Sequence, residues 1–208
     1  MRGPLLLLAL ALAQTLALSP ARAADTATAP SADPTQVRPG TYRLDPDHAK
    51  ITWSLSHLGF STYYGQITDV TGDATLDPKD ATKIRLKVTI GTDSITGVNP
   101  KLDAHLKAPD FFDTAKFPSA TFAATAVEAT SPTTARVTGD LTLRGVTKPV
   151  AFDATFNQAG IHPVDKAYTV GFDGRAVLKR SDFGIDAYLP MLGDEVVLRL
   201  EGEFKAVN

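Results

Sequence analysis

Among the 208 residues there is no cysteine, which excludes disulfide staples, thiolate nucleophiles and cysteine-ligated metals. The formal net charge is −2, with acids and bases interspersed, so the chain lacks both the basic footprint of a nucleic-acid binder and a polybasic membrane patch. Its core has to hold itself together by packing.

Arg2, the apolar run LLLLALALAQTLAL (5 to 18) and Ala21-Arg22-Ala23 follow the plan of an export signal: a positive start, an apolar stretch and an A-x-A cleavage site. The run is shorter than the roughly 20 residues that span hydrocarbon, so residues 1 to 23 read as a cleavable signal peptide rather than an anchor. No later stretch is apolar enough to cross a bilayer, and stable membrane insertion is not expected. Residues 24 to 40, ADTATAPSADPTQVRPG, carry almost no large apolar side chain and read as a disordered linker. The remaining residues, 41 to 208, suit one domain with a substantial core.

AKITWSLSH (49 to 57) places Ile51, Trp53 and Leu55 on one face and Lys50, Thr52 and Ser54 on the other, the period of a half-buried strand. The pattern recurs at 64 to 76, 82 to 90, 119 to 128, 133 to 145, 148 to 157, 166 to 177 and 195 to 206, giving eight candidate strands. Polar turns such as DPKDA and SPTT join them. The apolar face carries Ile84, Leu86, Val88 and Ile90, then Phe122, then Val137, Leu141 and Leu143. It continues with Val150, Phe152 and Phe156, with Val170, Phe172 and Leu178, and with Val196, Leu198, Leu200 and Phe204. Eight antiparallel strands with one wet face can close as a barrel or stack as a sandwich. Runs of 9 to 13 residues favour a closed barrel roughly 25 to 30 Å tall, and glycines within or beside the strands let the sheet coil.

One helix is expected. Asn99 can cap it, Pro100 suits its first position, and Leu102, His105 and Leu106 share a face. A piece this short is unstable alone, and the barrel mouth is the expected docking place, which makes the helix, with Phe111 and Phe112 beyond it, a lid.

The stretches HAKITWSLSHLGFSTYYGQI (48 to 67), DAHLKAPDFFDTAKFPSATF (103 to 122), GDLTLRGVTKPV (139 to 150) and KRSDFGI (179 to 185) together resemble the YceI-like family of polyisoprenoid-binding proteins. The resemblance covers essentially all of residues 41 to 207. It implies an eight-stranded antiparallel, lipocalin-like barrel that holds an isoprenoid lipid, such as a quinone tail or polyprenyl chain, in its apolar interior. It also implies periplasmic location, in keeping with the leader. A homodimer would fit the resemblance, although no surface pattern in the sequence demands one.

A barrel of this kind needs a long, dry channel and no cofactor. The expected lining is Ile51, Trp53, Leu55, Leu86, Val88, Phe122, Leu141, Leu143, Phe152, Phe156, Phe172, Ala176, Leu198 and Leu200. Gly139, Gly174, Ala124, Ala126 and Ala176 are expected to leave space beside them. Leu102, His105, Leu106, Phe111 and Phe112 form the expected lid, with His57 and His105 hydrogen-bonding at the barrel end.

Competing classes are a lipocalin-type carrier of another apolar ligand and a histidine-dependent enzyme or metal protein. Trp53 suits the first, but Ile51 stands where a G-x-W motif needs glycine. His48, His57, His105 and His162 show no metal-ligand spacing, and no serine sits in a G-x-S-x-G elbow. The clusters Arg144 with Lys148 and Lys179 with Arg180 read as solvated turn charges, as a group closing the barrel end through Asp182, or as a partner for a phosphate or quinone head group.

Overall fold

The computed structural model describes residues 29–207. Three strands are interrupted: β1 (Gly40–Leu44) continues as β2 (Lys50–His57), β3 (Ser61–Ile67) as β4 (Val70–Leu76), and β5 (Arg85–Gly91) as β6 (Ile95–Thr96). Five follow unbroken: β7 (Ser119–Ala129), β8 (Thr134–Leu143), β9 (Val146–Ile161), β10 (Tyr168–Lys179) and β11 (Glu195–Ala206). Each pairs antiparallel with its neighbour in the chain, and β11 closes the ring on the first strand through Phe204↔Leu44 and Leu198↔Trp53. With each interrupted pair counted as one, this is the expected eight-stranded antiparallel barrel.

Alternation decides which side chains enter. Leu86, Val88 and Ile90 point inward while Arg85, Lys87 and Thr89 are exposed. Asp140, Asp153, Arg175 and Arg199 likewise cover the outside. The outer wall is therefore a wet face, unlike the apolar belt of a membrane barrel, and among the described residues no helix is long and apolar enough to cross a membrane. A bulge between Ala124 and Ala126 shifts the β7 register. This overturns the inward placement expected for Ala126, which is exposed.

The three interruptions have local causes. Pro46 cannot donate to the ladder, and Asp45 caps a short 3-10 turn by accepting from the Asp47 amide at 3.2 Å. Between the other two interruptions, Ser94 Oγ accepts from the amides of Thr68 at 3.1 Å and Asp69 at 2.9 Å, satisfying backbone donors that the ladder leaves free there.

The two barrel ends differ. One end carries the turn at 58 to 60, the segment 97 to 118, the Arg144-Gly145 turn and the segment 180 to 194. The short helix α1 (Pro100–Leu106) lies here, capped by Asn99 Oδ1, which accepts from Lys101 N and Leu102 N. Leu106 and Phe111, at 8% and 7% exposed, pack into the main core with Trp53, Ile95 and Ile185. Arg180 is buried and donates to the carbonyls of Gly193 (2.9 Å), Ile185 (3.0 Å) and Leu192 (3.1 Å). Arg144 donates to the carbonyls of Gly184 (2.5 Å) and Pro109 (2.6 Å), tying three connections together. Both arginines thus fasten this end through backbone carbonyls, not through Asp182.

The opposite end carries the turns at 77 to 84, 130 to 133 and 162 to 167. The N-terminal segment lies against it. Ser31 bridges Ala159 of β9, a 3-10 turn spans Pro34–Gln36, and Val37 is 7% exposed in the core. Tyr168 Oη accepts from the Arg38 amide at 3.2 Å, and the Arg38 guanidinium lies 4.3 Å from the Tyr168 ring centroid. At Gly160 a side chain would meet Pro30 Cα at 2.6 Å, so glycine is what lets the segment approach β9. The linker expected over residues 24 to 40 is thus corrected within the described residues: this stretch joins the barrel through backbone bridges and one apolar anchor. Residues 24 to 28 and the leader lie outside the described residues.

Candidate functional site

The barrel encloses an apolar cavity of about 540 Å³. Its walls come from every strand of the ring: Leu44 and Ile51, Val70 and Ala74, Leu86 and Val88, Phe122, Val137 and Leu141, Phe152 and Phe156, Phe172 and Ala176, Leu198 and Leu200. Leu86, Val88, Phe152, Phe172, Leu198 and Leu200 point inward yet stay only half-buried. A core residue in that position would be sealed by its neighbours; these side chains face open space. Phe156, Phe172 and Phe204 stack edge to face along one side, with centroids 5.8 and 6.0 Å apart.

The cavity is open at one end only. Pro34, Thr35, Asp77, Pro78, Ser131, Pro132 and Thr133 contribute to its lining, and all belong to the N-terminal segment or to turns at the second end. The segments 58 to 60, 97 to 118, 144 to 145 and 180 to 194 contribute none. This corrects the lid. Leu102, His105, Leu106, Phe111 and Phe112 sit at the end away from the mouth, where α1 is a plug. Its apolar face was available to cover the barrel, and the core it found was the closed half.

Of the expected lining, Ile51, Leu86, Val88, Phe122, Leu141, Phe152, Phe156, Phe172, Ala176, Leu198 and Leu200 reach the cavity. Trp53, Leu55 and Leu143 do not: they share the same inward face but stand beyond the cavity, towards the plug. Trp53 is 6% exposed, and its indole lies over Gly65, where any side chain would collide with the ring. His57 is exposed, with its ring 6.1 Å from that of Tyr63. His105 Nε2 meets Asp110 Oδ2 at 2.9 Å on the plug, while Asp103 accepts from Thr96 Oγ1 and the Gly97 amide, each at 2.7 Å.

The small residues do two different things. Gly174 and Ala176 line the cavity, with Leu200 Cδ1 only 3.1 Å from where a Gly174 side chain would begin. Gly139 instead receives the Phe122 ring, so its space is already filled. Pro34, Val37, Pro78 and Pro132 also line the mouth and carry no sequence signal beyond their place in connecting segments.

A polar cluster fastens the open end from outside. Lys205 Nζ lies 2.7 Å from Asp45 Oδ2 and 2.6 Å from Asp165 Oδ2, and His48 Nδ1 lies 2.8 Å from the same Asp45 oxygen. The hydrogen bond from Lys205 brings the Asp45 carboxyl down to about 2, against the opposing effect of burial, and Lys205 likewise brings Asp165 to about 2. Asp45, His48 and Glu203 present ligand atoms within 4.8 Å of one another. The Lys205 ammonium already occupies the cation's place against Asp45.

Over the described residues, a closed antiparallel barrel around a single-ended apolar cavity is the architecture of barrels that can hold an apolar small ligand. The YceI-like domain model matches residues 42–204. A UPF0312 protein of Pseudomonas aeruginosa is 40% identical over 170 residues, covering 81% of this chain and 88% of its own. This protein belongs to the YceI-like family. Among solved structures, a Campylobacter jejuni YCEI protein superposes with TM-score 0.65 at 29% identity, covering 74% of this chain and 90% of its own. A polyisoprenoid binding domain from Saccharophagus degradans superposes with TM-score 0.60 at 13% identity, covering 82% of this chain and 100% of its own.

Proposed function

We propose that this protein is an exported carrier that holds an isoprenoid lipid, a quinone tail or a polyprenyl chain, in the barrel cavity. The observation that carries the reading is the open apolar cavity lined by half-buried side chains. Each carbon-sized group moved there from water gains about 0.8 kcal/mol before ordering costs, which suffices for binding without any catalytic residue. The Saccharophagus degradans domain, described as polyisoprenoid binding, supports the ligand class through its shared fold. The leader in residues 1 to 23 supports periplasmic location.

Organic extraction of purified protein followed by mass spectrometry tests the reading. A prenyl-chain species in the extract is the expected result. An extract containing only ordinary fatty acids would favour a carrier of another apolar ligand, and a clean extract from protein that also fails to take up added prenols would overturn the reading.

A further inference from the structure

The pieces that surround the mouth are held in different ways. The turn at 130 to 133 is tied across its base, with Thr134 Oγ1 2.7 Å from both Thr130 Oγ1 and Ser131 Oγ. The turn at 77 to 84 is tied by Lys83 Nζ, 3.4 Å from Asp77 Oδ2 and from Asp80 Oδ2. Both turns run directly into strands of the ring at each end.

The N-terminal segment, in contrast, rests on the ring from outside it. Pro34, Thr35 and Val37 line the cavity, and the segment touches down on either side of the first two. Ahead of them, Ser31 exchanges two backbone hydrogen bonds with Ala159, at 2.8 and 2.9 Å, on a stretch of β9 beyond Thr155, where its pairing with β8 ends. After them, Val37 is buried, and Tyr168 Oη meets the Arg38 amide at 3.2 Å and the Gln36 carbonyl at 3.3 Å. Between these points the bonding is internal: Asp33 accepts from the Thr35 amide, Thr35 Oγ1 and Gln36 Nε2. Among the described residues, the hydrogen bonds of 32 to 35 all stay within the segment. A turn that caps itself and hangs between two attachments can swing as one body, because releasing one attachment leaves its own bonds whole.

We propose that residues 30 to 36 are the gate of the cavity: the Ser31–Ala159 bridge opens, the segment swings about Val37, and an apolar ligand passes where Pro34 and Thr35 stood. The inference rests on the carrier reading above.

The fluorescent apolar probe N-phenyl-1-naphthylamine, loaded into the purified, delipidated protein, tests this through its rate of release into excess phosphatidylcholine vesicles. The chain has no cysteine of its own, so Ser31→Cys with Ala159→Cys supplies a lock. Residues paired in this way stand about 5.5 Å apart at Cα, within the reach of a disulfide. Release from the oxidised lock should be about tenfold or more slower than from the same protein reduced. The Kd should change by less than about threefold, because entry slows as well. Gly160→Ala acts in the opposite sense: its methyl would meet Pro30 Cα at 2.6 Å, so the segment must lift. Release should then quicken about fivefold, the weight of the two bridging hydrogen bonds. Either variant decides alone if the other is not obtained folded. An unchanged release rate in a folded variant overturns the gate and leaves the carrier reading standing. A probe that binds but is not displaced by farnesol counts against the isoprenoid ligand and not against the gate, whereas wild type that takes up neither overturns both.

Discussion

The two ends of this barrel are made from the same sheet and fastened by different chemistry. At the closed end, apolar side chains from α1 and its flanking segments fill the interior, and two arginines hold the connections by donating to backbone carbonyls. At the open end the cavity takes up part of the interior beside the buried Val37, Tyr42, Leu44 and Val170, and the strand ends are drawn together on the outside by Lys205 between Asp45 and Asp165. A binding barrel needs both: enough packed interior to supply stability, and a volume left unfilled for a ligand. Packing density, not strand pairing, separates them.

Truncation should expose that division most strongly at Trp53, which packs against the plug. Trp53→Ala is expected to cost about 3 to 5 kcal/mol in urea unfolding. Trp53→Phe should cost far less, because the buried indole N–H has no hydrogen-bond partner to lose. Equal losses for the two would refute this account of how Trp53 packs.

Arg180→Met should follow, at about 3 kcal/mol, since it strands three carbonyls that the guanidinium now satisfies. Arg180→Lys should recover only part of this, because an ammonium cannot match a fork spread over three acceptors. Full recovery by lysine in the same denaturation measurement would mean that charge alone matters.

A matched pair of leucines compares the halves directly. Leu106→Ala, in the plug, is expected to lose about 2 to 3 kcal/mol. Leu86→Ala, on the cavity wall, should lose about 1 kcal/mol or less, since its side chain already borders empty space. Similar losses would mean that the cavity wall packs like a core.

The smallest effect is electrostatic and confined to the open end. Asp45 and Asp165 titrate near 2 in the folded protein against 3.8 for a free carboxyl. The unfolded chain therefore takes up these protons first, and the stability the pair contributes, fully present above about pH 4, is lost as pH falls towards 2. Wild type should show a decline in Tm across that window. A Lys205→Met variant should show a shallower one, because the carboxyls then lose the partner that depresses them; an unchanged slope would remove Lys205 from the account.

The strands were legible because period-two alternation marks each of the eight runs even where a bulge or interruption breaks it locally, and the helix because Asn99-Pro100 marks its start and Leu102 and Leu106 its face. Alternation separates inside from outside but carries no sign of which end is up. Trp53 and Ile51 look identical to it, although one packs against the plug and the other lines the cavity. The same limit hid the mouth and turned a plug into an expected lid. Gly139 was misjudged for a related reason: its space belongs to Phe122 on the adjoining strand, a fact that requires the register. The N-terminal segment escaped notice because its attachment is largely backbone, with Val37 as its one buried apolar side chain.

If the cavity carries a lipid chain as proposed, its single opening makes exchange a queue. An incoming chain has no second route by which to push the resident one forward, so the resident must depart through the same rim before its successor can settle. The rate of replacement is then set by departure alone and should stay constant as the concentration of incoming lipid rises. A barrel open at both ends would lack that ceiling.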